Sequence, residues 1–462
     1  MEELEPNKNE LRERIVQRLL SDWNFVTMRE THELYVYEDG VYKLGIAESE
    51  INKHAEMVMN KDGTRFDINE IIFHVKCRTY QDWNFWEIED KFICLKNGIL
   101  NIENMMLQPL SPEFHFLNKL PIEYYPKEEL ENNGHVDVFT YEKTKEEKVD
   151  LIDKFFHQIV ATQEDVDALY EFFGYCLYRR IPIHKAFMLV GEGENGKSTL
   201  LSLLKAFLGS DNVSNQTLQS ICENRFAAVE LHGKLANIYA DLEQKSLYNT
   251  GMFKILSGED SIDAERKFIQ RRIKFTNFAK QIYSCNTIPA NTKDDTIAFW
   301  RRWILITFPN RFSKERGNGD ANILQKLTSK EQLSLLLLHA LEGLKRLLQN
   351  NGFSNQKTTE ETRLDYIVRS DPIKYFAEIH LIEDVQSFEP KIVVYEAYKQ
   401  FCNEKGLEIK DVVVFGRTIR KYLTFGDTQK TINGKHGVTC YSGIKLKTKT
   451  ETKDVELTSF SP

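Results

Sequence analysis

The segment that decides the fold is Gly191-Glu192-Gly193-Glu194-Asn195-Gly196-Lys197-Ser198, which reads G-x-x-x-x-G-K-S. Residues 186–190 before it form an apolar run of strand length, and residues 199–208 after it are apolar at helical spacing. Strand, glycine loop and helix in this order predict a loop whose backbone N–H groups surround a phosphate chain. The alternative is a glycine-rich turn with a chance Lys-Ser, but the motif and its flanks agree on the phosphate loop.

The motif also assigns roles to its side chains. Lys197 is expected to reach the β- and γ-phosphates of ATP, and the Ser198 hydroxyl is expected to bind Mg²⁺. The predicted nucleotide contacts are Gly191, Glu192, Gly193, Glu194, Asn195, Gly196, Lys197, Ser198 and Thr199.

Length and composition set the frame around this loop. A chain of 462 residues is too long for one core, so we expect about three domains. No apolar run is long enough to span a membrane, and the charged amino terminus lacks signal-peptide character, which predicts a cytoplasmic protein. Seven scattered cysteines without a C-x-x-C pair predict reduced, mostly buried thiols and no zinc site. The net charge of −8 excludes a protein that is basic all over, but not local basic patches.

The pattern along the chain predicts an α/β protein: a central P-loop domain with a parallel sheet, an α+β N-terminal domain with a helical collar, and a C-terminal winged helix. Asp39-Gly40 and Asn97-Gly98 are expected hairpin turns. Trp83, Phe85 and Trp86 could stack on bases, but we interpret them as core. The expected boundaries are 1–125 for the N-terminal domain, 126–180 for a linker and collar, 181–350 for the P-loop domain with a helical part at 321–350, 351–371 for a linker, 372–450 for the winged helix and 451–462 for a flexible tail.

Two acids follow the next apolar strand. Asp241 and Glu243 end the run 235–240, which we expect to neighbour the phosphate-loop strand. Asp241 is the better candidate for the Mg²⁺ shell, and Glu243 for orienting the attacking water. The spacing D-x-E is looser than two adjacent acids, so the division of roles stays open, as does the alternative of two surface acids.

A basic block at residues 264–275 predicts a hairpin with a cationic tip. Such a tip suits contact with a nucleic-acid backbone, although composition alone favours the alternative of an ordinary solvated hairpin. The candidate DNA contacts in this block are Arg266, Lys267, Arg271 and Arg272.

Three further polar residues complete the predicted catalytic set. Asn286 ends a strand and could hold the attacking water or contact the γ-phosphate, although Asn is also common in turns. Arg301 and Arg302 stand between Trp300 and Trp303. One of them could reach a neighbouring subunit's γ-phosphate, or pack on tryptophan by cation–π contact.

The C-terminal unit is predicted as three helices followed by a hairpin at Asn433-Gly434. From residue 412 to residue 449 it has eight Lys or Arg and one acid, Asp427. Arg417, Arg420 and Lys421 are spaced to share one face of one helix, which could enter a major groove, with Lys430 and Lys435 on the hairpin. The alternative is a soluble basic surface or a domain-docking module.

The order of these motifs resembles superfamily 3 helicases of the AAA+ class, and more narrowly the helicase part of phage and plasmid primase-helicases, a family that includes the poxvirus primase-helicase. The segments that carry the resemblance are Gly191–Ser198, Asp241, Ser257-Gly258-Glu259-Asp260, Lys267, Cys285-Asn286-Thr287-Ile288-Pro289 and Trp300-Arg301-Arg302, with looser likeness at 37–42, 97–100, 120–125 and 393–425. A stand-alone chain of this layout is similar to the replication-initiator helicases of staphylococcal pathogenicity islands and similar mobile elements.

The resemblance implies a ring, expected to be a hexamer, with ATP and Mg²⁺ bound between subunits, 3′ to 5′ movement on single-stranded DNA, and a hairpin that grips one strand. It also implies recognition of a double-stranded replication origin by the winged helix. Family members often carry a primase ahead of this region, and we expect none here. The alternatives are an ATP-switched, sequence-specific DNA-binding regulator without translocation and, less well matched to the Arg pair and the basic C-terminal unit, a small-molecule phosphotransferase.

Overall fold

The structure is a computed structural model that describes residues 7–60, 63–126, 150–243, 247, 249–265, 272–289, 294, 296–313, 315, 317–432 and 434–448, with the backbone alone for Arg272 and Lys435. The predicted tail at 451–462 and most of the polar stretch at 126–149 lie outside these residues.

The N-terminal part packs three helices on a mixed sheet of order β3-β2-β1-β4. The apolar faces of the helices meet the sheet at Val16, Leu19, Ile51 and Val75, all buried. The turn between β2 and β3 has Asp39 and Gly40 at φ +50° and +92°, so the predicted hairpin is confirmed. The elements are α1 (Lys8–Asp22), β1 (Phe25–Met28), β2 (Leu34–Glu38), β3 (Val41–Leu44), α2 (Ala47–Met59), α3 (Arg65–Arg78) and β4 (Tyr80–Gln81).

A small antiparallel sheet follows, made of β5 (Phe92–Leu95), β6 (Gly98–Asn101) and β7 (Met106–Gln108). Its first turn is Lys96-Asn97, so a hairpin forms where Asn97-Gly98 predicts one. Trp83, Phe85 and Trp86 form a short 3₁₀ helix and lie half-buried against Tyr35 and Tyr42, in agreement with the interpretation as core.

The central part is a parallel sheet of order β14-β8-β13-β10-β9. Its strands are buried on both faces, because helices cover both sides and leave no polar face. The elements in chain order are α4 (Leu151–Ile159), α5 (Gln163–Leu177), β8 (Ala186–Val190), α6 (Lys197–Leu208), β9 (Val213–Ser214), α7 (Leu218–Glu223), β10 (Ala236–Tyr239), α8 (Gly251–Leu256), β11 (Ser261–Glu265), β12 (Arg272–Thr276), β13 (Lys280–Cys285), α9 (Ile297–Trp300) and β14 (Trp303–Thr307).

The sheet order corrects one expectation. The acidic strand β10 does not neighbour β8, because β13 lies between them and pairs with both. Asn237 shows why this order is stable: its side-chain amide donates to Gln281 Oε1 of β13 at 3.1 Å inside the sheet. The strand that ends in Asn286 therefore separates the phosphate loop from the acidic strand.

Two helices, α10 (Ile323–Leu327) and α11 (Lys330–Asn350), follow β14. The long helix α11 packs on α5 at two glycines. A Cβ on Gly174 would lie 2.0 Å from the Ala340 carbonyl oxygen, and one on Gly343 would lie 2.8 Å from the Tyr170 carbonyl oxygen. The two backbones can touch only because both positions lack a side chain. The predicted helical stretch at 321–350 is present from Ile323 onward, with a two-residue break at 328–329.

The stretch 351–371, interpreted from the sequence as a linker, contains helix α12 (Thr359–Ser370). A capping box between Thr358 and Glu361 begins it. Tyr366 of this helix is fully buried among Phe299, Trp300 and Trp303, so this connection is packed on the central part.

The C-terminal part has three helices and a three-stranded sheet of order β15-β17-β16. Its core includes Phe376, Tyr398, Phe415 and Ile444. The three helices and the hairpin match the predicted pattern, but β15, between the first two helices, was not predicted. The elements are α13 (Pro372–His380), β15 (Leu381–Pro390), α14 (Lys391–Lys405), α15 (Val412–Ile419), β16 (Gly426–Ile432) and β17 (Lys435–Leu446).

Candidate functional site

The glycine loop between β8 and α6 is built around two positions that admit no side chain. A Cβ on Gly191 would lie 2.3 Å from Asn195 Nδ2, and one on Gly196 would lie 2.6 Å from Ile159 Cγ2 of α4. Gly196 also has φ +89° at the cap of α6, where an L side chain is strained. A Cβ on Gly193, in contrast, would face open space. The loop is therefore packed tightly at its base and open at its crest.

Lys197 is buried in this loop, with 6% of its surface exposed. Its ammonium donates to the Gly191 carbonyl oxygen and, at 3.1 Å, to Asn195 Oδ1. Burial lowers the pKa of Lys197, while the nearby Cys285 thiol and Asp241 carboxylate act in the opposite direction. A buried cation held by its own loop can exchange these neutral acceptors for a phosphate oxygen.

The donors around the loop fit a polyanion. Asn195 Nδ2 is buried and has no hydrogen-bond partner among the described residues. Ser198 and Thr199 lie in the first turn of helix α6, and their side chains are exposed and half-buried, respectively. In this turn the backbone N–H groups point out of the end of the helix. An unpaired buried donor, a buried lysine and a helix amino end in one loop form a site that a phosphate chain satisfies.

The acidic end of β10 lies close to the loop. Asp241 is exposed and has φ +63°, a conformation that few non-glycine residues adopt and that occurs often at functional sites. The next residue, Leu242, donates its N–H to the Ser284 carbonyl oxygen of β13 at 2.8 Å. Ser284 directly precedes Cys285, which bonds the first residue of the loop, so Asp241 stands near the loop, and its carboxylate acts to raise the pKa of Lys197. Glu243 is exposed, and its backbone carbonyl accepts from Gln219 at 3.2 Å.

Asn286 follows β13 directly and is exposed. The residue before it, Cys285, accepts a hydrogen bond from the Gly191 N–H at 3.4 Å, so Asn286 lies beside the first residue of the loop. Because β8, β13 and β10 are parallel neighbours, their carboxyl ends meet at one edge of the sheet. Lys197, Asp241 and Asn286 are brought together there.

A cavity of about 560 Å³ adjoins the loop at Gly196 and Thr199. The segment after β14 forms its other side: Phe312 donates its N–H to the Glu194 carbonyl oxygen at 2.6 Å, and Arg311 forms an ion pair with Glu192. The apolar side chains that line the cavity are Phe155, Phe312 and Ile323. None of these was predicted from sequence, because they come from three separate elements with no shared motif.

The arginine pair lies at the opposite edge of the sheet. Arg301 and Arg302 directly precede β14. The first residue of β14 pairs with the first residue of β8, whereas the phosphate loop follows the last residue of β8. Arg302 is 6% exposed, and its guanidinium donates to the Lys254 carbonyl oxygen at 3.0 Å and to Ser257 Oγ at 3.0 Å. Arg301 is exposed, and its carbonyl oxygen accepts from Lys185 Nζ at 2.6 Å. The pair therefore divides into one buried and one exposed guanidinium.

The predicted basic hairpin exists as β11 and β12, antiparallel from Ser261↔Thr276 to Glu265↔Arg272. The candidate contacts Arg266, Lys267 and Arg271 lie outside the described residues, and so does the side chain of Arg272.

The predicted basic helix ends sooner than the spacing of its cations indicates. Helix α15 ends at Ile419, with Arg420 as its C-terminal cap and Lys421 in the turn that follows. Arg420 is engaged locally: its guanidinium donates to Asp427 at 2.6 Å and lies 4.8 Å from the Phe425 ring centroid. Arg417, Lys421 and Lys430 are exposed, while Lys435 has only its backbone described.

All seven cysteines are free, and six of them are buried. Within the described ranges, no three His, Cys, Asp or Glu side chains cluster as a metal site. None of the helices in the described part is both long and apolar enough to cross a bilayer.

Known proteins resemble parts of this chain. A family described as a family of unknown function, DUF5906, matches residues 189–302, which hold the phosphate loop, Asp241, Asn286 and the Arg pair. A protein of Acanthamoeba polyphaga mimivirus, whose name describes it as an inferred helicase, is 26% identical to this chain over 236 residues. That match covers 46% of this chain and 24% of the viral protein, so the chain spans about a quarter of its relative.

Among solved structures, the A-form apo structure of the NrS-1 C-terminal region is similar over 93% of this chain and 98% of that one, with 12% identity and a TM-score of 0.48. Another apo structure of the same region covers 96% of this chain and all of that one, with 12% identity and a TM-score of 0.43. At such low scores the likeness identifies neither fold nor function.

Proposed function

We propose that this chain is an ATP hydrolase that drives DNA unwinding, a replicative DNA helicase built on an AAA+ domain. One observation carries the proposal: Lys197, Asp241 and Asn286 meet at one edge of the parallel sheet, while the exposed Arg301 lies at the opposite edge. The mimivirus relative, named a helicase, supports the same class of activity.

The glycine loop is proposed to bind the phosphates of ATP. Lys197 and the α6 amino end neutralise the phosphate charge, Asn195 donates its unpaired amide, and the base occupies the cavity beside Phe312. Ser198 and Asp241 would hold Mg²⁺, which, when bound, neutralises charge on the transferred phosphoryl group. Two protein oxygens suffice, since Mg²⁺ usually keeps waters and substrate phosphates as its other ligands. Asn286 would hold the attacking water; the role of Glu243 stays a proposal.

The arginine position favours a site shared between subunits. The five residues of β14 separate Arg301 from the phosphate-loop edge, a distance of about 15 Å at the rise of a strand. Arg301 therefore lies far from the phosphate loop of its own chain, and we propose that it acts on the nucleotide of the next subunit. A head-to-tail interface that repeats in this way forms a ring when its rotation closes, and we propose a hexameric ring. Arg302 is proposed to position Arg301, since its guanidinium is bonded within the chain.

DNA contact is proposed at two places. The tip of the hairpin β11–β12, with Lys267, would grip single-stranded DNA in the ring, moving 3′ to 5′ as the family resemblance implies. The C-terminal part, with α15 and the hairpin β16–β17, has the element order of a winged helix and would recognise a replication origin, as in initiators of mobile elements. Free, mostly buried cysteines are consistent with work in the cytoplasm.

A regulator that binds DNA under the control of ATP, without translocation, is the second candidate. The exposed basic residues of the C-terminal part favour it equally. The two proposals differ in the hairpin, which a regulator does not require.

The discriminating experiment measures ATP hydrolysis with and without single-stranded DNA, and unwinding of a forked duplex. Lys197→Ala should abolish hydrolysis, whereas Lys205→Ala, an exposed lysine on the same helix, should not. Lys267→Ala should abolish unwinding while ATP binding persists. A wild-type protein that hydrolyses ATP but never separates the strands would favour the regulator.

A further inference from the structure

Helix α15 begins with three valines, two of which keep more than half of their surface exposed. Val412 and Val413 expose 52% and 74% of their surfaces, and Val413 lies on the side of the helix away from the buried Phe415 and Ile419. Valine is also an unfavourable residue for a helix, because its branched side chain loses rotamer freedom there. Neither local propensity nor burial therefore accounts for an exposed valine at position 413.

The helix is held firmly against the sheet behind it. Asp411 caps it by accepting from the N–H groups of Val413 and Val414 at 2.9 and 3.0 Å. Gly416 lies so close to β17 that a Cβ there would be 3.2 Å from the Tyr441 hydroxyl. Directly after the helix, Arg420 is fixed between Asp427 and the Phe425 ring. These contacts orient α15 within the C-terminal part and leave its outer face towards solvent.

That outer face pairs an apolar side chain with a cation. Val413 and Arg417 are four residues apart and lie on the same side of the helix, both exposed. Lys421 and Lys430 are exposed nearby in sequence, and the one acid between residues 412 and 448, Asp427, is already paired with Arg420 and Lys391. The exposed cations near the valine therefore suit an anionic partner, and the acid that precedes the helix, Asp411, is engaged in capping it.

We propose that Val413 reads thymine in double-stranded DNA, by apolar contact with the 5-methyl group in the major groove, while Arg417 contacts a neighbouring base or phosphate. The major groove presents this methyl group on thymine alone among the four bases, and small apolar side chains are suited to it. The inference rests on the proposed role of the C-terminal part as a winged helix that binds duplex DNA. It adds the base that the helix selects.

The test uses the full chain and begins with selection of bound duplexes from a random-sequence pool. Thymine should be enriched at fixed positions of the selected site. Each enriched thymine is then replaced singly by deoxyuridine, which removes only the methyl group. At one position the wild-type protein should bind about three- to fivefold more weakly, the effect of one buried methyl group.

Val413→Ala should bind the thymine duplex more weakly by the same factor and should not respond to deoxyuridine at that position. Val58→Ala, which alters a valine of α2 that is 42% exposed, should keep the wild-type response. The proposal is overturned if no thymine is enriched, if wild type ignores every deoxyuridine, or if Val413→Ala retains the full response. ATP hydrolysis and fork unwinding, measured on the same preparations, show independently whether the proposed motor function stands.

Discussion

The hydroxyl of Tyr366 donates a hydrogen bond to the carbonyl oxygen of Pro289 at 2.7 Å, and both groups are buried. This bond joins α12, the helix that leads to the C-terminal part, to the loop that begins with Asn286. The connection between the proposed DNA-reading part and the proposed catalytic edge is therefore a packed contact.

Tyr366→Phe should destabilise the chain by about 1–2 kcal/mol, because it leaves a buried carbonyl without its donor. It should also lower kcat for ATP hydrolysis with little change in KM, since the loop carrying Asn286 loses a support. Tyr395→Phe is the matched control, because it removes a tyrosine-to-carbonyl bond of 3.1 Å to Lys410 in the C-terminal part. Urea unfolding and steady-state kinetics check both variants; equal kcat losses in the two would contradict a specific link.

The cavity beside the phosphate loop predicts the effect of Phe312→Ala. Loss of one aromatic contact with the base should raise the KM for ATP about tenfold while leaving kcat nearly unchanged. Phe73→Ala, which alters a phenylalanine of α3 that is 57% exposed, serves as the control. An unchanged KM in Phe312→Ala would place the base elsewhere.

Replacing Arg301 and replacing Arg302 by alanine should have different effects on stability and on ATP hydrolysis. Arg302→Ala leaves the Lys254 and Ala298 carbonyl oxygens without their donor and should cost about 2–4 kcal/mol in the free energy of unfolding. Arg301→Ala removes an exposed side chain and should change that free energy by less than about 0.5 kcal/mol. Arg301→Ala should nevertheless abolish most ATP hydrolysis. Denaturant titrations and hydrolysis assays distinguish the two; a stable, fully active Arg301→Ala would remove it from the catalytic set.

Lys280 at the start of β13 predicts a pH dependence of stability. It is fully buried, donates to the Tyr178 carbonyl oxygen, and burial lowers its pKa from 10.5 to about 7. Between these two values the unfolded chain binds a proton that the folded chain has released, so the free energy of unfolding rises with pH across this window. In Lys280→Met the rise between pH 7 and 9 should be smaller by roughly 1 kcal/mol per pH unit. Lys205→Met is the exposed control, and an unchanged pH slope in Lys280→Met would contradict the buried titration.

The local parts of the fold could be predicted from sequence because their signals are local. The glycine motif stands between an apolar run and a helical pattern, and Asp39-Gly40 marks its hairpin without reference to distant residues. The positions of Asp241 and Asn286 at strand ends follow from the same kind of pattern.

What could not be predicted depends on contacts between distant residues. The insertion of β13 between β8 and β10 depends on pairing over more than forty residues, including the amide of Asn237 on Gln281. The guanidinium of Arg420 binds Asp427 and Phe425, which come later in the chain. The burial of Arg302 and of Tyr366 likewise depends on partners that no spacing rule reveals.

The central claim is that each ATP site needs Lys197 from one subunit and Arg301 from the next. The most direct measurement mixes the Lys197→Ala and Arg301→Ala variants and lets them form mixed assemblies, either by subunit exchange or by denaturing and refolding them together. ATP hydrolysis is then recorded in the presence of single-stranded DNA. Each variant alone should be inactive. An equal mixture should recover about a quarter of the wild-type rate, the share of interfaces that combine an intact Lys197 with an intact Arg301 under random assembly. A mixture as inactive as its components would contradict the shared site.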